Sequence, residues 1–411
     1  MKTTSMLWLS TAIISLILAF AIGEIMMRGA ALFLPDVKYL ATAGIDPDQT
    51  EFESLDEYLA TQNLIPHRPW RNHRSNSLGF YDTRFTTLKP EGRLRVMALG
   101  DSFIYGMAPY PKNVMTVTEK IVKDNCPEKD FELLNFGIPE AGVWDYRQLY
   151  QLAAPVYDPD IVVVHFFMGN DGPDLFYHSM DLPKPGFGLH SYFINYVKNA
   201  IKLLRGLDDQ ALKRVVERPR EDRVSGEALA GGQALDPSFE FTDEHPALKG
   251  PTFTKEKFIS ISAGEMMRLY NSGEQAEKDW APILAELETL RKSVEIHHAR
   301  MIIIMYPSAL QVYPAMLKNL FRQMITKDRY KNLGLEFRRF DPQLPNKMLS
   351  GYCKGAGIEC FDVTPDLVRA GRELKKSLYI SRDTHWNILG NQKAAKAEAG
   401  FLESVICQSS N

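Results

Sequence analysis

The sequence predicts an α/β protein in three layers, with helices on both faces of a parallel sheet, behind an N-terminal transmembrane helix. Three observations predict it: five short runs rich in branched apolar residues, helix-patterned stretches between them, and an unbroken apolar run at the N-terminus.

The first of the five runs is LRVMALG, from Leu94, which ends in a Gly-Asp turn and then Ser102. Similar runs follow at Phe131 to Phe136 (FELLNF), Ile161 to Phe167 (IVVVHFF), Met301 to Tyr306 (MIIIMY) and Gly357 to Val363 (GIECFDV). Continuous apolar runs without alternation are the pattern of strands buried on both faces. Between them, Val117 to Asp124, Tyr146 to Ala154, Glu274 to Ala299 and Asn391 to Ile406 carry helical patterning. Strands alternating with helices build βαβ units, whose crossovers are right-handed. The economical result is a three-layer α/β/α sandwich on a flavodoxin-like sheet of five parallel strands.

At the N-terminus, Lys2 precedes an apolar run from Met6 through Gly23. A bilayer crossing needs about 20 such residues. Ala19-Phe20-Ala21 resembles a signal-peptidase site, so a cleaved signal peptide and an uncleaved anchor both fit. The apolar stretch exceeds the roughly 7–15 residues of a signal-peptide core, which favours the anchor. Either way the body of the chain is expected outside the cytoplasm, periplasmic or extracellular. Residues 1–28 form this anchor, residues 29–90 a proline-bearing linker and lead-in, and residues 91–411 the main domain.

The region 173–274 interrupts the strand–helix alternation. It holds a basic helical patch (Tyr196 to Arg220), a Gly/Ala/Ser segment (Ser225 to Ala234) and a polar stretch (Asp236 to Pro251). Insertions this long in a compact domain act as lids or are partly disordered, and the sequence does not separate the two.

Composition narrows the function. Hydrophobic residues at 45%, charged residues at 24% and a formal net charge of −3 are ordinary for a globular protein and give no reason to expect a nucleic-acid partner. The four cysteines (Cys126, Cys353, Cys360 and Cys407) lack the paired spacing of a zinc site, so no metal and no cofactor is expected. Cys353 and Cys360 flank a short loop and could close a disulfide in an oxidising compartment, and two buried thiols fit equally.

Chemistry-bearing residues gather where strands end. Ser102 follows the first strand, where open α/β sheets place their ligands. Asp383-Thr384-His385 lies just before the final helix, and an imidazole oriented by a carboxylate is the base a serine nucleophile needs. After the second strand comes Gly137-Ile138-Pro139-Glu140-Ala141-Gly142, and after the third Met168-Gly169-Asn170-Asp171. Backbone N–H groups of the former and the Asn170 amide of the latter are candidate oxyanion donors, each worth about 2.7–4 kcal/mol. Taken singly, each motif is also an ordinary turn or helix cap.

Together, GDSF at 100–103, NFGIPEAG at 135–142, GND at 169–171 and DTHWN at 383–387 resemble, in order and context, the four blocks of the SGNH/GDSL hydrolases. The resemblance implies Ser102 as nucleophile and first oxyanion donor, the residue-140 N–H as second, Asn170 as third, and His385 as base oriented by Asp383. It places Asp101, Gly142 and Asp171 beside the substrate. Two departures stand out: the family usually has glycine where this chain has Glu140, and only Thr384 separates Asp383 from His385, where two residues are common. The shorter spacing resembles a DTHW-type branch associated with acetylation of cell-envelope polysaccharides, and the N-terminal run resembles the anchor of bacterial membrane-attached members. The implied substrate is an acyl ester, O-acetyl or short-chain, on a carbohydrate such as acetylated polysaccharide. A hydrolase, an O-acyltransferase and a silent glycan-binding envelope protein of the same fold remain open.

Overall fold

The computed structural model describes residues 15, 20–26, 29, 52, 54–62, 64–70, 73–172, 193, 194, 197, 252–272, 276–327 and 335–407. The chain divides into two units, Met1–Glu51 with Tyr177–Glu221, and Phe52–Phe176 with Asp222–Asn411. In the first, residues 20–26 are helical. Phe20 meets Phe193 edge to face, and the Glu24 carboxylate accepts the Phe193 N–H at 3.1 Å. Most of the apolar run from Met6 to Gly23 lies outside the described residues. Among the described residues no helix is long and apolar enough to cross a membrane. The Gly/Ala/Ser and polar segments expected between Ser225 and Pro251, and nearly all of the basic patch, also lie outside them.

The second unit is built on five strands: β1 (Leu94–Gly100), β2 (Phe131–Gly137), β3 (Ile161–Phe167), β4 (Arg300–Tyr306) and β5 (Glu359–Asp362). All pair in parallel, in the spatial order β2-β1-β3-β4-β5, the flavodoxin-like order expected. Val96, Met97, Ala98 and Leu99 of β1 and Val162, Val163 and Val164 of β3 are fully buried, which is why their runs are apolar without alternation. Helix α3 (Val114–Asn125) packs on α11 (Ile388–Ile406), and α4 (Val143–Tyr157) packs on α6 (Ala276–Ile296). Order reverses around β1, since β2 lies on one side of it and β3 on the other. The crevice at the carboxyl ends of β1 and β3 is therefore the expected ligand site.

From Phe52 the stretch expected as linker and lead-in belongs to this core. Helix α1 (Leu55–Thr61) buries Tyr58, whose hydroxyl donates to Asp145 Oδ1 at 3.2 Å. Phe80 and Phe85 pack on Phe136 of β2, so the apolar residues of the lead-in cover one edge of the sheet. The end of the expected insertion is also core. Helix α5 (Lys255–Leu269), opened by a Thr254 cap, buries Phe258, Ile259, Ala263, Met266 and Leu269 at helical spacing.

Two covalent ties and one polar cluster fix the last helix and strand. Cys126, capping α3, is bridged to Cys407, capping α11, and Cys353 is bridged to Cys360 between α9 (Leu344–Ala356) and β5. Glu398 of α11 is wholly buried beneath the sheet. It faces His165 Nε2 of β3 at 3.1 Å and accepts the Tyr306 hydroxyl of β4. A buried carboxylate with these partners holds α11 to β3 and β4.

Candidate active site

Strand β1 ends at Gly100, and Asp101 turns the chain into the four-residue helix α2 (Ser102–Tyr105). Asp101 caps it, its Oδ1 accepting the Phe103 N–H at 2.9 Å, so Ser102 is the first helical residue. The Ser102 N–H has no backbone acceptor among the described residues, as befits an opening turn. Gly106 stops the helix at φ +113°, and a Cβ there would lie 2.0 Å from Asn113 Nδ2. Asn135 of β2 fastens α2 from the side, donating to the Ile104 carbonyl at 2.7 Å while its Oδ1 accepts the Gly137 N–H at 3.0 Å. At Gly137 a Cβ would lie 2.4 Å from Tyr105 N, so only glycine lets β2 run this close to the serine turn.

His385 arrives from the loop before α11. That loop is closed by Ile380 N–H to His385 O at 2.9 Å and by Asn387 N–H to Leu378 O at 3.0 Å, and Asn387 caps the helix. His385 Nε2 lies 2.6 Å from Ser102 Oγ, across 283 residues of sequence. Its Nδ1 lies 2.5 Å from Asp383 Oδ1, and the same oxygen accepts the His385 main-chain N–H at 3.1 Å. With Thr384 alone between them, Asp383 thus bonds the ring directly. The Phe103 ring tilts over the imidazole at 5.2 Å and meets Trp386 edge to face, which limits ring motion. Burial pushes the Asp383 carboxyl up, but the His385 charge and the hydrogen bonds from its ring and main chain outweigh it and hold the group below the usual carboxylate range.

The remaining site residues expected from sequence sit on the same sheet edge. Gly100 is in register with Gly137 of β2 and with His165 of β3, so the loops carrying Glu140 and Asn170 leave the sheet on either side of Ser102. Glu140 is exposed and left-handed, at φ +66°. Glycine adopts that backbone conformation more readily than glutamate does. Asn170 is half-buried in the turn after β3. Asp171 holds that turn, accepting the Phe167 N–H and the Tyr146 hydroxyl, each at 2.8 Å. The Gly142 N–H donates to Asp145 Oδ2 at 3.0 Å at the start of α4. Asp101, Gly142 and Asp171, expected beside substrate, therefore engage the protein's own groups.

Phe103, Met107, Trp386 and Asn391 pack around His385. Among the described residues no group of His, Cys, Asp or Glu side chains could hold a metal ion. Two features had no signal in sequence. Thr252 and Phe253 donate main-chain bonds to Ser381 O (3.0 Å) and Arg382 O (3.3 Å), splinting the loop that carries Asp383. Asp101 Oδ2 lies 3.3 Å from Ser102 Oγ, a second acceptor for the serine hydroxyl.

No family model matches the chain, and no curated protein matches it. Among solved structures, it is similar to a two-domain esterase active on acetylated mannans, at 10% identity and TM-score 0.35, over 78% of this chain. It spans 51% of that protein's length, about half. It is similar to an acetylxylan esterase from Geobacillus stearothermophilus, solved as a catalytic mutant, at 11% identity and TM-score 0.35, over 77% of this chain and 97% of the other. The third is LAE5, an alpha/beta hydrolase enzyme from the metagenome of Lake Arreo, at 13% identity and TM-score 0.35, over 77% and 97%. These neighbours are esterases and hydrolases, and at TM-scores this low neither family nor substrate passes from them to this chain.

Proposed function

We propose that this chain is a serine ester hydrolase of the SGNH/GDSL type that works through an acyl-Ser102 intermediate. One observation carries the proposal: the unbroken hydrogen-bonded line from Ser102 Oγ through the His385 ring to Asp383, at 2.6 and 2.5 Å. In the first half-reaction His385 Nε2 takes the hydroxyl proton as Oγ bonds to the ester carbonyl carbon. The tetrahedral oxyanion rests on the N–H groups of Ser102 and residue 140 and on the Asn170 amide. The intermediate collapses, the acyl–oxygen bond breaks, and the imidazolium returns its proton to the leaving alcohol. Water then repeats the sequence on the acyl-enzyme and frees the carboxylic acid. A sugar hydroxyl taking the place of water makes the same site an O-acyltransferase.

The substrate we assign is an O-acetyl or short-chain ester on cell-envelope carbohydrate. The DTHW block supports a small acyl group and a glycan. The N-terminal apolar run supports a membrane anchor. Both cysteine pairs being bridged supports a periplasmic or extracellular catalytic domain, because such bonds persist in oxidising compartments. A fluorophosphonate probe tests the nucleophile: the native chain is expected to label and to hydrolyse a chromogenic acetyl ester, and Ser102→Ala to do neither. Labelling or turnover that persists in Ser102→Ala overturns the proposal. Acetate release from acetylated polysaccharide, with and without an acceptor glycan, separates hydrolysis from transfer.

A further inference from the structure

We infer that Asp101 is a second carboxylate of the base, facing the Ser102 hydroxyl and the Nε2 side of His385 and stabilising the imidazolium once the serine proton has moved. The inference rests on the serine-hydrolase reading above. Asp383 serves the Nδ1 side of the ring. Nothing so far accounts for charge on the other side, where the proton arrives.

The geometry is specific. One oxygen of Asp101 is spent on the α2 cap, which fixes the carboxylate plane, and the other lies 3.3 Å from Ser102 Oγ. Ser102 Oγ thus sits between His385 Nε2 at 2.6 Å and Asp101 Oδ2. The side chain is buried, and no lysine or arginine pairs with it among the described residues. The other ionisable groups around it are Tyr146 of α4 and Tyr306 of β4, both held neutral by burial well above the usual phenol range. Asp171 and Glu398 are each already bound to one of these phenols. Asp383 and Arg382 lie on the His385 loop. The cation left to balance Asp101 is the imidazolium, whose charge lowers the Asp101 pKa. Burial, the larger effect, pushes the Asp101 carboxyl up to about 6, so the carboxylate is charged at neutral pH and neutral in mildly acidic solution.

An ordinary helix cap needs only an acceptor for the Phe103 N–H, and that difference makes the role testable. Asp101→Asn and Asp101→Ser both keep a capping oxygen and both remove the charge. The titration of the His385 ring, followed by nitrogen NMR in the full chain, is expected to move down by about one pH unit in each variant. The acid limb of kcat/KM on a chromogenic acetyl ester is expected to move with it, with rates at pH 7 falling about tenfold. In the native chain the His385 resonances are expected to show a second inflection as Asp101 titrates, a readout that does not depend on either variant folding. A His385 titration unmoved in the capped variants, or a native titration with one inflection only, overturns the inference. Activity lost in Ser102→Ala with those outcomes leaves the nucleophile standing and removes Asp101 alone. Activity retained in Ser102→Ala removes the nucleophile instead.

Discussion

Replacing Asp383 by asparagine separates charge from geometry at the proposed base. A single oxygen, Oδ1, accepts both the ring Nδ1–H and the main-chain N–H of His385. An amide oxygen in that position accepts the same two bonds, so Asp383→Asn is expected to leave the loop and the ring tautomer in place while removing the negative charge. Opposite charges roughly 4 Å apart at an effective dielectric of about 20 attract by about 4 kcal/mol. The imidazolium exists only after the serine proton has moved, so nearly all of that loss falls on the barrier, about 10³-fold in kcat/KM. Asp383→Ala deletes both hydrogen bonds as well, at about 1 kcal/mol each, and is expected to cost a further tenfold or more. Initial rates on a chromogenic acetyl ester at pH 8, with melting curves to show that each variant folds, measure both. Asp383→Asn within tenfold of the native rate, or equal losses in the two folded variants, would refute the electrostatic role.

Three more outcomes are expected. Glu140→Gly relieves a left-handed residue that costs on the order of 1 kcal/mol, so its melting temperature should rise or hold and its kcat should not fall; a drop in both counts against residue 140 as a backbone donor. Asp82 and Glu265 are buried carboxyls pushed up to about 7 chiefly by desolvation. Their folded pKa values lie above the unfolded ones, so their contribution is fully present below about pH 4 and lost as pH rises through 7. Melting temperature should therefore climb as pH falls from 8 toward 5, and Glu265→Gln should flatten that slope. Removing the Cys126–Cys407 bridge by double Ser substitution should destabilise the chain by about 2–4 kcal/mol in chemical denaturation, with little change in rate for the folded fraction.

The strands were legible because full burial on both faces leaves an unmistakable residue pattern, as in IVVVHFF and MIIIMY, whose observed limits are Ile161–Phe167 and Arg300–Tyr306. The short edge strand β5 was overextended in sequence, because its one free edge demands less apolar surface. Helices opened by proline escaped notice: α8 (Pro314–Met324), α9 and α10 (Thr364–Leu374) each carry Pro at the first or second position, where it initiates rather than breaks. Helix α5 falls within the interrupted region 173–274, although Phe258, Ile259, Ser262, Ala263 and Met266 mark one face. Of the candidate site, Ser102, Asp383 and His385 stand out as motifs because each sits in a turn beside a strong element, and their side chains meet in the structure. The Thr252–Phe253 splint was not, because main-chain bonds leave no side-chain signature. The Cys126–Cys407 pairing was hidden likewise, since only the packing of α3 on α11 brings those residues together.

The clasp that Glu398 makes with His165 and Tyr306 bears on how the chain matures as it is synthesised. The serine precedes the imidazole by 283 residues, and the helix after the imidazole is held by a buried acid whose partners lie on strands that must already stand side by side. A polypeptide in synthesis therefore carries Ser102 well before His385, the base proposed for it, and the two can meet only once α11 has docked on β3 and β4.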